Sequence, residues 1–238
     1  MLQPTEIERA LVITAHPDDV DFGAAGTVAG LTDVGCEVTY CLVTDGDAGG
    51  FDLTIPRPQM AEIRRAEQTR AAKEVGVESL IFLGHGDGRV VADLSLRRDL
   101  SRVIRQVRPD LVITQSPIRD LNRIYASHPD HLAAAEAAIA AVYPDSRNPF
   151  AFTELVEEGF DPWTVPEVWV MGGPTPSSAI DVTDHVDRKI RALMCHESQH
   201  VDPSGTEERV RAWMQLTAST FGLGDGRSAE AFQIVDTR

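Results

Sequence analysis

Four times in the first 143 residues, a short and almost unbroken apolar run gives way to a stretch with apolar residues three and four positions apart. The runs are Ala10-Leu11-Val12-Ile13, Val38 to Val43, Leu80-Ile81-Phe82-Leu83 and Leu111-Val112-Ile113-Thr114. Their length and β-branched content predict strands, and the lack of polar alternation predicts strands covered on both faces. Gly23 to Val34, Gln59 to Val75, about Leu94 to Val107, and His131 to Tyr143 read as helices, the first two closed by Gly35 and Gly76. Repeated strand-then-helix units with right-handed crossovers predict an α/β fold, a doubly wound, mostly parallel sheet flanked by helices.

The regularity fades after Tyr143. Pro144 to Pro166 carries four prolines among acidic and aromatic residues. Phe150, Phe152, Phe160 and Trp163 give it apolar surface to bury, so it reads as an irregular excursion that shapes a pocket rather than as a linker. Val168 to Met171 and Ala179 to Val182 read as short late strands, and Asp184 to Cys195 as a helix with Asp184 as its N-cap. From Val201 onward no element is predicted. No internal repeat or low-complexity tract interrupts the chain, so residues 1–238 are expected to form one domain.

Composition narrows the partners. With 42% hydrophobic residues the chain can bury a sizeable core, and 22 Lys+Arg against 37 Asp+Glu leave a formal charge of −15. That balance disfavours nucleic acid and anionic membrane surfaces and favours a small-molecule substrate. No stretch approaches the ~18 consecutive apolar residues of a membrane span. The first residues lack a basic segment followed by an apolar one, so no secretory signal is expected. Three cysteines, none in a CxxC pair, suit reduced thiols and argue against a thiolate zinc site. The expectation is an acidic cytoplasmic protein, with self-association into a homo-oligomer left open.

In a doubly wound sheet, ligands bind beyond the carboxyl ends of the strands. Two related motifs stand there: His16-Pro17-Asp18-Asp19 after the first strand and His128-Pro129-Asp130-His131 after the fourth. Proline suits a first helical turn, so each motif is expected to start a helix, with His16 and Asp19, and His128 and His131, paired at i,i+3. Either motif alone is more often a capped turn than a functional site. Together they offer imidazoles and carboxylates to one crevice, and neutral imidazoles plus a carboxylate make a catalytic zinc shell with a position left for water.

At these residues the sequence resembles the PIG-L/LmbE-like family of zinc-dependent N-deacetylases. The resemblance extends to Gly23 and Gly26, Thr44-Asp45-Gly46, Arg64-Arg65-Ala66-Glu67, Leu83-Gly84, Asp87-Gly88, and Lys189 through His196 to Gln199. It implies a hydrolase that removes an N-acetyl or other N-acyl group from an amino-sugar derivative or related amide. It implies that His16, Asp19 and His131 bind one Zn²⁺ per chain, a set that Fe²⁺ can also occupy. Asp18 would be the general base, His128 a cationic group stabilising the oxyanion, and Asp130 the residue that orients His128 and raises its pKa, unless it simply caps its helix.

Arg64 is a candidate substrate contact, with an i,i+3 pair to Glu67 as the plain alternative. Asp87 is a candidate pocket residue in what also reads as an ordinary turn. Tyr125 offers an oxyanion hydrogen bond, although the family's tyrosine is often one position nearer the histidine. His196 lies either near the substrate pocket or in a structural role, whereas His85, His185 and His200 have no evident partner. Residues 45–50 read as a mobile wall of the site. The alternatives are an amidase of larger thiol-conjugate or peptide-like amides, and a nucleotide-binding or interaction module. The second is disfavoured because no G-x-G-x-x-G or P-loop follows the first strand. A metallophosphoesterase would want a denser set of ligands for two metals.

Overall fold

Alternate residues of each apolar run turn out to face opposite layers. The computed structural model describes residues 1–238. In β1 (Arg9–Thr14), Ala10 and Val12 join one core while Leu11 and Ile13 join the other. Val38, Tyr40 and Leu42 of β2 (Glu37–Thr44) likewise oppose Cys41 and Val43. That is why the runs lack polar alternation: both sides are buried.

The first layer holds α1 (Asp19–Gly23), α2 (Ala25–Asp33), α3 (Arg57–Glu74) and α7 (Val186–Met194); the second holds α4 (Leu94–Val107) and α5 (Pro129–Ala140). Between them lies a seven-stranded sheet, completed by β3 (Ser79–His85), β4 (Leu111–Gln115), β5 (Glu167–Met171), β6 (Ser178–Asp181) and β7 (Ala229–Asp236), in the order β3-β2-β1-β4-β5-β7-β6. The first five strands pair in parallel, and β7 runs antiparallel to both β5 and β6. The doubly wound, mostly parallel sheet expected from the sequence is therefore present. Its winding reverses between β1 and β4, the place where such sheets open a crevice.

Several boundaries differ from the sequence reading. The first helix is two, broken at Ala24 (φ −146°, ψ 2°). The excursion at 144–166 contains the short helix α6 (Thr153–Glu157). Asp184 does not cap a helix: it lies in the tight turn Thr183–His185, and α7 starts at Val186. Beyond Val201, the long helix α8 (Pro203–Thr220) and β7 went unread. No helix is long and apolar enough to cross a membrane.

The late strand β7 anchors the first layer. Glu230 is buried, and its carboxylate accepts the N–H groups of Gly26 (3.0 Å) and Thr27 (2.7 Å) at the start of α2. It thus satisfies donors that a helix N-terminus leaves over. Lys189 of α7, also buried, pairs with Glu230 and donates to the Phe22 carbonyl at 2.7 Å. The close seating of α2 explains Gly26: a Cβ there would stand 2.8 Å from Cβ of Val182.

Removing one member of a buried pair strands the other charge. Lys189→Met is expected to lower the unfolding free energy by about 3–5 kcal/mol. Adding Glu230→Leu in the same chain should recover part of that loss. Urea titrations followed by circular dichroism measure both, and a single variant as stable as the parent would contradict the pairing.

Candidate active site

The two motifs meet at the reversal between β1 and β4. Just after β1, the Ala15 N–H donates to Gln115 Oε1 at the end of β4 (2.9 Å), which ties the two strand ends together. His16 N–H then donates to Asp19 Oδ2 at 2.7 Å. Asp18 takes a left-handed conformation (φ +89°, ψ −27°), and its carbonyl accepts from Asp21 and Phe22, so α1 starts at Asp19. Pro17 therefore precedes the N-cap and does not open the helix. In the second motif Pro129 does take the first helical position, with His128 as N-cap. A left-handed aspartate costs on the order of 1–3 kcal/mol, a strain typical of functional turns.

Ring nitrogens of His16, His128 and His131 lie within 4.8 Å of one another. Asp19 stands between two of them, with Oδ1 3.0 Å from His131 Nε2 and Oδ2 3.4 Å from His16 Nδ1. The outer nitrogens are also engaged: His131 Nδ1 is 3.3 Å from the Ala126 carbonyl. His16 Nε2 is 3.2 Å from Asp130 and 3.1 Å from Asp87. Those acceptors assign an N–H to each outer nitrogen. The inner nitrogens, His16 Nδ1 and His131 Nε2, face the Asp19 carboxylate, either as N–H donors of charged rings or as lone pairs of neutral ones. Either way a positive charge must lie between rings and carboxylate, a proton or a metal ion, and two imidazoles with one carboxylate are a donor set suited to a divalent ion.

Positive charge is favoured at this place. Burial opposes a charge on His16, but hydrogen bonds to Asp130, Asp19 and Asp87 outweigh it and push the ring up to about 12. Burial likewise opposes ionisation of Asp19, yet His131 and His16 hold it well below the usual range. Asp87, against its own burial, is drawn down to about 2 by His16. Burial raises Asp18, with Arg64 opposing.

Three expectations need correction. Asp130 does not orient His128 through its carboxylate. That group accepts from Gly88 N (2.7 Å) and Val90 N (3.2 Å) and faces His16, while only the Asp130 backbone N–H reaches His128, at Nδ1 (3.2 Å). His128 is consequently lowered rather than raised, by burial and then by His16 and His131. Arg64 is buried, and its guanidinium donates to Asp18 Oδ2 (3.1 Å), Gly46 O (3.1 Å) and Pro17 O. It clamps the Asp18 turn and makes no hydrogen bond to Glu67. Asp87 is buried too, bonded to His16 and to Ala48 N (2.9 Å), so it supports the histidine from behind.

The loop at 45–50, expected as a mobile wall, is tied at both ends, by Arg64 on Gly46 and by Gly50 N on Gln199 Oε1 (3.2 Å). Tyr125 is 77% exposed on the turn Ile124–Ser127 and has no hydrogen bond. His85, His185 and His200 have local partners: Asp99, Asp33 and the Leu193 carbonyl. Gln115, Gln68 and Asp21 were missed by the sequence reading. Gln68 follows Arg64 by four residues, so the same helix face carries both, a signal the sequence did contain.

Residues 11–142 match the model of the PIG-L family, described as GlcNAc-PI de-N-acetylase. A diacetylchitobiose deacetylase of Thermococcus kodakarensis is 32% identical over 97% of this chain and 84% of its own. A 1D-myo-inositol 2-acetamido-2-deoxy-alpha-D-glucopyranoside deacetylase of Rhodococcus erythropolis is 30% identical over 84% of each. Among solved structures, the N,N'-diacetylchitobiose deacetylase of Pyrococcus horikoshii superposes with a TM-score of 0.89 at 29% identity, covering 97% of this chain and 85% of that one. The chain belongs to the PIG-L family and is an N-deacetylase, a hydrolase of a metal-dependent family. The cluster around His16 is its group of residues able to hold an ion.

Because Arg64 serves the Asp18 turn, Arg64→Met is expected to destabilise the fold by about 3–5 kcal/mol, as for a broken buried pair. A variant with unaltered thermal unfolding and only a raised KM would instead restore the substrate-contact reading.

Proposed function

We propose that this protein is a zinc-dependent deacetylase that hydrolyses the 2-acetamido group of an N-acetylglucosamine derivative, with N,N'-diacetylchitobiose as the first substrate to test. The observation that carries the reading is the convergence of His16 Nδ1, His131 Nε2 and the Asp19 carboxylate, with Asp18 preceding Asp19 on the same turn. These three donors would hold the ion, in the two-imidazole, one-carboxylate shell that zinc favours in hydrolytic sites. Bound there, it would supply Lewis acidity, polarising the amide carbonyl and lowering the pKa of water.

The remaining steps belong to the chain's own residues. Asp18 takes a proton from the attacking water as the water oxygen bonds to the acetyl carbon, and later returns it to the nitrogen as the C–N bond breaks. Acetate and a primary amine leave. His128 accepts the Asp130 amide at Nδ1, so its free position, Nε2, carries the hydrogen. It would donate that hydrogen to the developing oxyanion as a neutral imidazole. Asp130 and Asp87 fix the tautomer of His16 and raise its basicity as a ligand. The diacetylchitobiose and inositol glycoside relatives share an N-acetylated glucosamine unit in their names, which is why that unit is the part of the substrate proposed here. The same reading places the protein in the cytoplasm, where its three free cysteines would stay reduced.

Zinc-loaded protein should release primary amine from N,N'-diacetylchitobiose. His131→Ala should lose the zinc found in the parent by elemental analysis. Asp18→Ala should keep it while kcat falls by about 10²–10⁴-fold; full turnover by the zinc-loaded variant would overturn the role of Asp18. Asp130→Asn separates the two readings of that residue. Acting through His16, it should weaken zinc affinity about 10–100-fold in chelator competition. An unchanged affinity would leave Asp130 as a helix-terminal group only.

A further inference from the structure

Two adjacent aspartates reach different partners. Asp19 faces His16 and His131, whereas Asp18 faces Arg64. The left-handed peptide at Asp18 divides them, and the group holding that peptide lies outside the motif. The Asp18 N–H donates to Oε1 of Gln68 at 2.8 Å. Gln68 is completely buried on α3. The other end of its amide, Nε2, donates to Asp21 Oδ2 at 2.9 Å. Turning the amide over would set donor against donor at Asp18 and acceptor against acceptor at Asp21.

The same Asp21 oxygen is 2.8 Å from Nε2 of His196, and both side chains are fully buried. His196 stands after α7, 175 residues along the chain from Asp21. A buried relay thus runs from His196 through Asp21 and Gln68 to the backbone of Asp18, and none of the three side chains contributes to the donor cluster around His16. Gln68 lies one helical turn beyond Arg64, so α3 grips Asp18 twice, by its carboxylate and by its peptide.

We infer that Gln68, oriented by Asp21 and His196, is a positioning residue for the deacetylation reaction: it holds the Asp18 peptide so that the carboxylate stays beside the metal-binding donors instead of among them. The inference rests on the reading of Asp18 as the general base.

Gln68→Met removes both hydrogen bonds while keeping the volume. His196→Leu removes the last member of the relay, and His196→Gln returns an N–H donor near the position of the histidine Nε2. Gln68→Met and His196→Leu should lower kcat about 10–100-fold, the usual effect of an outer-shell positioning group. KM and zinc content should stay at parent values, and His196→Gln should regain most of the rate. The kinetics are read on diacetylchitobiose below the thermal transition of each variant, with zinc determined on the same samples. The inference fails if Gln68→Met keeps the parent kcat, if its loss of rate tracks a loss of zinc, or if His196→Gln is as slow as His196→Leu. Should Gln68→Met not fold, the two His196 variants decide alone. Asp18→Ala separates the two levels: an active Asp18→Ala removes the base itself, whereas an inactive one beside a fully active Gln68→Met removes only the relay.

Discussion

Three carboxylates surround one imidazole, and the rest of the site depends on that arrangement. His16 meets Asp19 on its inner side and Asp87 and Asp130 on its outer side. Unbalanced negative charge so far from bulk solvent is unfavourable unless something positive sits among it. With Nε2–H directed at the outer pair, the inner nitrogen meets Asp19 either as the second N–H of a charged ring or through its lone pair, and so does Nε2 of His131. A cation between these donors and Asp19 resolves the repulsion at once. The geometry that makes the cluster unfavourable without a positive charge is what suits it to a divalent ion.

The fold brings the members of this cluster together from distant parts of the sequence. β1 and β4 are neighbours only because the chain winds outward through β2 and β3 and then returns to the other side of β1. His16 and Asp19 follow one strand, His131 and Asp130 the next, and Asp87 enters from the loop after β3. The helix carrying Asp19 is then seated by buried polar groups: Glu230 holds the start of α2 and Lys189 the carbonyl of Phe22 at the end of α1. These contacts place backbone, not chemistry, but a ligand set of this kind tolerates little displacement.

Much of this was legible because it follows from periodicity. Apolar runs buried on both faces announced the parallel strands, and the paired His-Pro-Asp motifs marked the reversal. What stayed hidden has definite causes. In β7, the buried Glu230 interrupts the apolar side that Phe232 and Ile234 would otherwise have displayed. In α8, the buried stripe of Thr206, Val210, Met214 and Ala218 is narrow and half of it is small or polar. The residues of the donor cluster were readable as types, but their wiring was not. His16, His128 and His131 pack with ring centroids 5.0 to 5.3 Å apart, so a shift of one rotamer decides which of them Asp130 serves. Nothing in local sequence encodes that choice. Arg64 and Gln68 were misread or missed because exposure, which separates a substrate contact from a buried clamp, is a tertiary property.

The reassignment of Asp130 changes the chemistry expected of His128. An imidazolium at His128 would repel any divalent ion held by the neighbouring cluster. A carboxylate pressed against His128 could have offset that repulsion, but the carboxylate belongs to His16. What His128 receives is a backbone N–H at Nδ1, an interaction only a neutral ring can accept. The neutral ring still presents an N–H on its far side, and a donor without net charge adds no repulsion beside the ion. The burial that lowers His128 and the hydrogen bond that fixes its tautomer therefore act in the same direction. Both favour a neutral His128 beside the His16–Asp19–His131 cluster, where the formal positive charge is concentrated, so that an anion in the crevice would meet a dipole rather than a second cation.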